Sequence, residues 1–298
     1  MRPTLDTQGT IAIDRSRVLD YLTLTKPELT LLSVLTALAG FYLGISGPIH
    51  GLLLVHTLLG TALVGGGAGA LNQYMERHYD ALMRRTEKRP LPAGRLSPVE
   101  VLVFGVSIAT IGILQLALLV NILTGFLAVV TLTTYLFLYT PLKRITALST
   151  LVGGIPGALP PVMGWTAARN EITVEAWVLF GILFFWQMPH FLSLAWMYRK
   201  DYARAGYRLL TVGDPDGGST TKHILVHTSA LLLISLLPTM LGHLGLLYLV
   251  VALLLGLVFL LISAQLFVAR SNAAARRLFI ASLLYLPALL IVMVVDKL

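Results

Sequence analysis

Asn72, Glu76 and Asp80 stand four residues apart at the end of an apolar run that begins near residue 50. On a helix this spacing lines up three oxygen-bearing side chains on one face, about 6 Å per turn. Oxygen ligands so placed suit Mg²⁺, which takes one or two carboxylates from the protein and completes its shell with substrate phosphates. A cationic stretch follows at once, Met83-Arg84-Arg85-Thr86-Glu87-Lys88-Arg89-Pro90-Leu91-Pro92-Ala93-Gly94-Arg95. The planar guanidinium fork matches phosphate oxygens, so carboxylates followed by arginines would suit a metal-bound diphosphate. The competing explanation is a solvated helix end whose cations only fix the orientation of the chain in a membrane.

The elements that must position these residues are membrane spans. Of 298 residues, 56% are hydrophobic and 12% charged, against roughly 25% charged in a soluble domain. Mean hydropathy is +0.82, so lipid is the natural solvent. The net charge of +8 would suit nucleic acid in a soluble chain. Here the cations lie in short loops between apolar runs, and a nucleic-acid partner is not expected. The absence of cysteine excludes disulfides, thiolate nucleophiles, cysteine metal sites and thioether-linked haem.

Nine spans are expected, at about 28–46, 50–74, 99–118, 121–139, 147–166, 174–197, 223–241, 245–268 and 277–295, in an all-α bundle. They form one domain, 28–298, behind a cytoplasmic tail, 1–27, that has no signal-peptide core; Thr25-Lys26-Pro27-Glu28 opens the first helix. With the N-terminus inside and the C-terminus outside, 20 of the 22 Lys and Arg fall on the cytoplasmic side, leaving Arg169 and Lys297 opposite. Two inner loops are long, 75–98 and 198–222. Each follows the second helix of a group of four, which hints at a duplicated four-helix unit plus a ninth helix.

Three further segments carry candidate chemistry. Tyr139-Thr140-Pro141-Leu142-Lys143-Arg144 puts two cations at the end of the fourth span. Gly153-Gly154-Ile155-Pro156-Gly157-Ala158-Leu159-Pro160-Pro161 interrupts the fifth, either lining a cavity or permitting close packing. Pro189-His190 lies within the sixth span near its cytoplasmic end. An ionisable residue there is a functional candidate, and the plainer alternative is a histidine hydrogen-bonded between helices. His227 is a weaker candidate; His50, His56, His223 and His243 read as interfacial or structural.

Asn-x₃-Glu-x₃-Asp followed by Met-x-Arg-Thr-x₂-Arg-Pro-Leu-Pro-x-Gly-Arg resembles the first aspartate-rich motif of the UbiA-type superfamily of intramembrane prenyltransferases. Helix count, orientation and loop placement extend the resemblance over nearly the whole chain. Many members have Asp where this chain has Glu76, which keeps the charge and the ligand oxygen. The segment from Trp186 to Gly206 is similar to the haem-farnesylating branch, and the single acid Asp201, where quinone-type members carry two, agrees with that branch. The resemblance implies transfer of the farnesyl group of farnesyl diphosphate to a vinyl group of haem b, with water addition, giving haem O and diphosphate. It implies Mg²⁺ on Asn72, Glu76 and Asp80, with Asp201 joining them in catalysis. Diphosphate would be held by Arg84, Arg85, Lys88, Arg89, Lys143, Arg144 and Lys200, and haem b, a substrate, by His190, Trp186 and Tyr198. The expected setting is the lipid bilayer of the cell membrane, with the site facing the cytoplasm and a haem A synthase or oxidase-assembly proteins as partners. A quinone-type aromatic prenyltransferase and a membrane transporter are the alternatives; carboxylates at the interface rather than the midplane weigh against transport.

Overall fold

The computed structural model describes residues 15–298; the first 14 residues of the expected tail lie outside it. The rest of that tail is helical: α1 (Arg15–Leu24) is followed by a turn and then α2 (Pro27–Gly44). The remaining elements are α3 (Gly51–Asp80), α4 (Pro98–Leu119), α5 (Ile122–Thr133), a π-helical turn (Thr134–Tyr139), α6 (Thr140–Leu142), α7 (Ser149–Arg169), α8 (Val174–Met197), α9 (Arg199–Arg204), α10 (Leu210–Gly213), α11 (Gly218–Met240), α12 (Leu246–Ala269) and α13 (Asn272–Val295). Each of the nine expected spans meets one long helix or, for the fourth, the continuous run from α5 through α6.

Eight of these helical segments are long and apolar enough to cross a membrane. The remaining one, α7, has comparable length but carries Pro156, Pro160, Pro161 and four glycines. It faces protein instead of lipid: 14 of its 21 residues are buried. Elsewhere, large apolar side chains such as Leu118, Ile122, Leu233, Leu246 and Val268 stand exposed on the outer faces. That is untenable in water and natural in a bilayer. The chain is a multi-pass helical membrane protein.

Helix contacts follow small residues. A Cβ on Gly40 would meet the Pro161 carbonyl, and one on Gly164 the Ala37 carbonyl, so α2 and α7 approach backbone to backbone. In the glycine run of α3, a Cβ at Gly67 would lie 2.6 Å from that of Ala109 on α4. The expected interruption of the fifth span is not found: α7 is helical throughout. Its prolines remove backbone donors, and Gln187 of α8 donates to the Gly154 carbonyl at 2.7 Å. Close packing is thus the role these residues visibly play.

The two long loops are shorter than the sequence suggests. Helix α3 runs on to Asp80, so the first connection is a chain of turns over 81–97, closed by a capping box in which Ser97 and Glu100 bond reciprocally at the start of α4. The second is folded into α9 and α10 and ends where α11 begins, at Gly218. Both connections lie at the same end of the bundle, where Tyr207 of the second reaches Glu76 at the base of the first. Arg169 and Lys297, the expected outer cations, share a pocket with Trp165, Glu175 and His243.

Candidate diphosphate and metal site

The last two turns of α3 carry the site's acids, and the predicted face is real. Asn72, Glu76 and Asp80 are all buried, and the Asn72 side-chain NH₂ donates to Glu76 Oε2 at 2.9 Å. Burying two carboxylates is costly unless each finds a counter-ion. Lys143 Nζ donates to Glu76 Oε1 at 2.8 Å and Arg89 Nη1 to Asp80 Oδ2 at 2.7 Å. One cation comes from the end of the fourth span and the other from the first loop. The chain there is held by Thr86, whose hydroxyl donates to the Asp80 carbonyl at 2.8 Å.

Four neighbours were not singled out in the sequence. Tyr207 donates its buried hydroxyl to Glu76 Oε1 at 3.0 Å, so the second loop reaches the first. Lys26, read above as part of the opening of a helix, donates from Nζ to Asn72 Oδ1 at 2.5 Å and lies 3.5 Å from the Tyr135 hydroxyl. It caps α2 in the left-handed region, φ 47°, a conformation that costs a non-glycine residue energy and tends to persist at functional positions. Thr140 accepts from Asn72 Nδ2 at 3.1 Å and donates to the Tyr135 carbonyl at 2.9 Å. The π-helical turn that contains Tyr135 and Tyr139 has a local cause: Pro141 has no N–H for the Phe137 carbonyl, and the ladder widens there. A lysine beside a proline at a span entrance, and Thr-Pro near a span exit, were the only signals in the sequence.

Electrostatics in this cluster is mutual. Burial pushes the Lys26 ammonium down to about 7, helped by Arg89 and Lys143 nearby. Burial would also depress Lys143, but Glu76 and the surrounding tyrosines outweigh it and hold its pKa well above the usual lysine range. The Tyr207 hydroxyl is pushed up by burial and by Glu76, so it stays a donor.

The other candidates fall into three groups. Arg144 contacts the Tyr79 hydroxyl and lies over its ring, and Arg85 reaches the Tyr202 hydroxyl at 3.4 Å with its guanidinium 5.6 Å from the Tyr198 ring. These two stand at the rim. Arg84, Lys88 and Lys200 are exposed. Asp201 pairs with Arg204, one turn on, at 2.6 Å. His190 and Trp186 are brought together elsewhere: His190 Nδ1 bonds Ser282 Oγ at 2.8 Å, Trp186 donates to the Ser282 carbonyl at 2.9 Å, and the imidazole stacks between Trp186 and Phe279. Both side chains tie α8 to α13.

The donor set fits Mg²⁺. It offers hard oxygen only, from two carboxylates and an amide one helical turn apart. No group of three His, Cys, Asp or Glu gathers among the described residues. Positions left to water and phosphate are what this ion prefers.

The profile of the UbiA prenyltransferase family matches residues 33–286. The chain belongs to the UbiA prenyltransferase family. Among its relatives is the "Protoheme IX farnesyltransferase" of Solibacter usitatus, 47% identical over 287 residues, covering 93% of this chain and 98% of that one. Two solved structures share the UbiA fold. One, from work on digeranylgeranylglyceryl phosphate synthase, superposes with a TM-score of 0.80 at 16% identity, over 94% of this chain and 98% of that one. The other, a UbiA homologue from Archaeoglobus fulgidus bound to GPP and Mg²⁺, has a TM-score of 0.66 at 17% identity, over 92% and 99%. Membership in the UbiA family makes the chain a membrane-embedded prenyltransferase.

Proposed function

We propose that the protein transfers the farnesyl group of farnesyl diphosphate to a vinyl group of haem b, giving haem O and diphosphate. The acceptor reading is supported by the Solibacter relative, near-full-length at 47% identity and named for that reaction. The diphosphate reading is carried by the convergence of Glu76, Asp80, Lys143, Arg89 and Lys26 at one end of the bundle.

In the proposed reaction the allylic C–O bond breaks and its electron pair leaves with the diphosphate. The vinyl π electrons then form the new C–C bond to the allylic carbon. Water captures the cation left on the haem side and loses a proton, which gives a hydroxyethylfarnesyl substituent. Glu76, Asp80 and Asn72 would hold Mg²⁺, which when bound stabilises charge on the leaving oxygens. Lys143, Arg89 and Lys26 bind the diphosphate from inside; Arg84, Arg85, Lys88, Arg144 and Lys200 lie at or outside the rim and draw the substrate in. Tyr207 orients Glu76, and Asp201 is the one acid of the second loop. Haem b lies towards α8. His190 contributes its Nε2 edge, since Nδ1 is engaged by Ser282, with Trp186 and Tyr198 along the macrocycle. The bundle forms one transmembrane domain in the cell membrane with this site facing the cytoplasm, an orientation supported by the segregation of Lys and Arg.

Purified protein incubated with haem b, farnesyl diphosphate and Mg²⁺ should yield extracted porphyrin heavier by a farnesyl group and one hydroxyl group. No change in haem mass, with prenylation of 4-hydroxybenzoate instead, would overturn the acceptor assignment. For the orientation, a Ser97→Cys variant in this cysteine-free chain should resist impermeant thiol reagents added outside intact cells.

A further inference from the structure

The ligand oxygens expected to face a metal are already engaged by the protein's own donors. Glu76 Oε1 accepts from Lys143 and Tyr207, Glu76 Oε2 from Asn72, Asp80 Oδ2 from Arg89, and Asn72 Oδ1 from Lys26. The two carboxylates are matched one to one by Lys143 and Arg89, with Lys26 adding a third cationic side chain beside them. A divalent cation arriving alone meets carboxylates that have no free charge to offer, and cations within a few ångströms that repel it. A prenyl diphosphate arriving alone can attract the cations only by leaving two buried carboxylates unpaired, which is costly. Neither cost arises when both arrive: the cations turn to the phosphates, and the carboxylates turn to the metal.

We infer that Lys143 and Arg89 are internal counter-ions that keep the acid face closed, with Lys26 beside them as a further diphosphate ligand, so that divalent metal and diphosphate bind by mutual exchange and neither binds well without the other. The inference rests on the metal–diphosphate reading above and does not involve haem. It also assigns a binding role to Lys26: its place in the left-handed region at the mouth of α2 delivers an ammonium to the polar end of the site. Coupling of this kind is reciprocal, so it can be read from either ligand.

The test uses detergent-solubilised full-length protein without haem. Mn²⁺ serves as a paramagnetic substitute for Mg²⁺, with the free ion read from its EPR signal, and inorganic pyrophosphate replaces the prenyl diphosphate. Wild type should bind Mn²⁺ at least about tenfold more tightly with saturating pyrophosphate than without it. A simple bridging metal would give that result too, so the variants decide. Lys143→Met should bind Mn²⁺ alone about tenfold more tightly than wild type while losing most of the enhancement by pyrophosphate. Arg89→Gln should shift the same way and covers the case in which Lys143→Met does not fold. Lys26→Met leaves both carboxylates paired, so it should weaken pyrophosphate binding without tightening Mn²⁺ binding. Wild type that binds Mn²⁺ equally well with and without pyrophosphate would overturn the inference. So would Lys143→Met and Arg89→Gln variants that both bind Mn²⁺ alone more weakly. Loss of haem farnesylation with the metal data intact would instead strike only the acceptor assignment.

Discussion

The ends of α3 and α8 occupy matching places, each the second long helix of a group of four and each leading into a charged connection on the same side. They use their acids differently. At α3, Glu76 and Asp80 are buried and paired with partners 67 and 9 residues away. At α8, Asp201 pairs with its own neighbour Arg204, whose side chain is 47% exposed. The second connection still reaches the first site, but through Tyr207, which donates to the acid of the other half. Matching places in two groups of helices therefore need not carry matching chemistry. In this chain one helix end supplies the acids, and the other supplies a phenol that fixes one of them.

That asymmetry can be broken by mutation. The largest effect is expected at Glu76. Glu76→Gln should lower the rate of haem farnesylation by on the order of 10²–10³, measured as product formation by protein that still elutes as a single folded species. Asp80→Asn should fall in the same range. Tyr207→Phe comes next: losing one hydrogen bond to a buried carboxylate should cost about tenfold in rate, with Mg²⁺ dependence shifted to higher concentration. Asp201→Asn should cost less than about threefold, because an exposed pair one helical turn apart contributes little. An Asp201→Asn loss as large as that of Glu76→Gln would restore symmetry between the two ends and sink the comparison. Smallest of all, Lys200→Ala should stay within about twofold.

His190 offers a separate sharpening. If it serves haem, His190→Ala should remove haem binding seen by absorption while pyrophosphate binding, built from α3, the first loop and Lys143, stays nearly unchanged. If its task is only to join α8 to α13 through Ser282, the variant should keep its haem spectrum and lose thermal stability.

What could be read from the sequence followed from period and charge. Nine long helices came from apolar runs, and the shared face of Asn72, Glu76 and Asp80 from a spacing of four. The interior of the site could not be read that way. Lys26 reaches Asn72 across 46 residues of chain and Tyr207 reaches Glu76 across 131, and neither stands in a pattern that one strand of text reveals. Thr140 faces Asn72 and Tyr135 faces Lys26 because a proline widens one helical turn, a displacement that an ideal helical wheel does not contain. The break expected in the fifth span was absent because glycine and proline, read as signs of irregular backbone, are also what lets two helix backbones touch.

At the far end of the bundle, Lys297 donates to the carbonyls of Tyr42 and Ile45, which close α2, across 255 and 252 residues, and Leu298 donates its N–H to the His243 carbonyl at 3.2 Å. This has a consequence for the order of assembly. The partners lie 252 and 255 residues apart, so the carbonyls at the end of α2 gain this donor only after every span from α3 to α13 has been made. The contact is then a late latch between the end of α2 and the segment that follows α13. A chain with methionine in place of Lys297 would insert all its helices and still lack the contact that fastens α2 to the far side of α13.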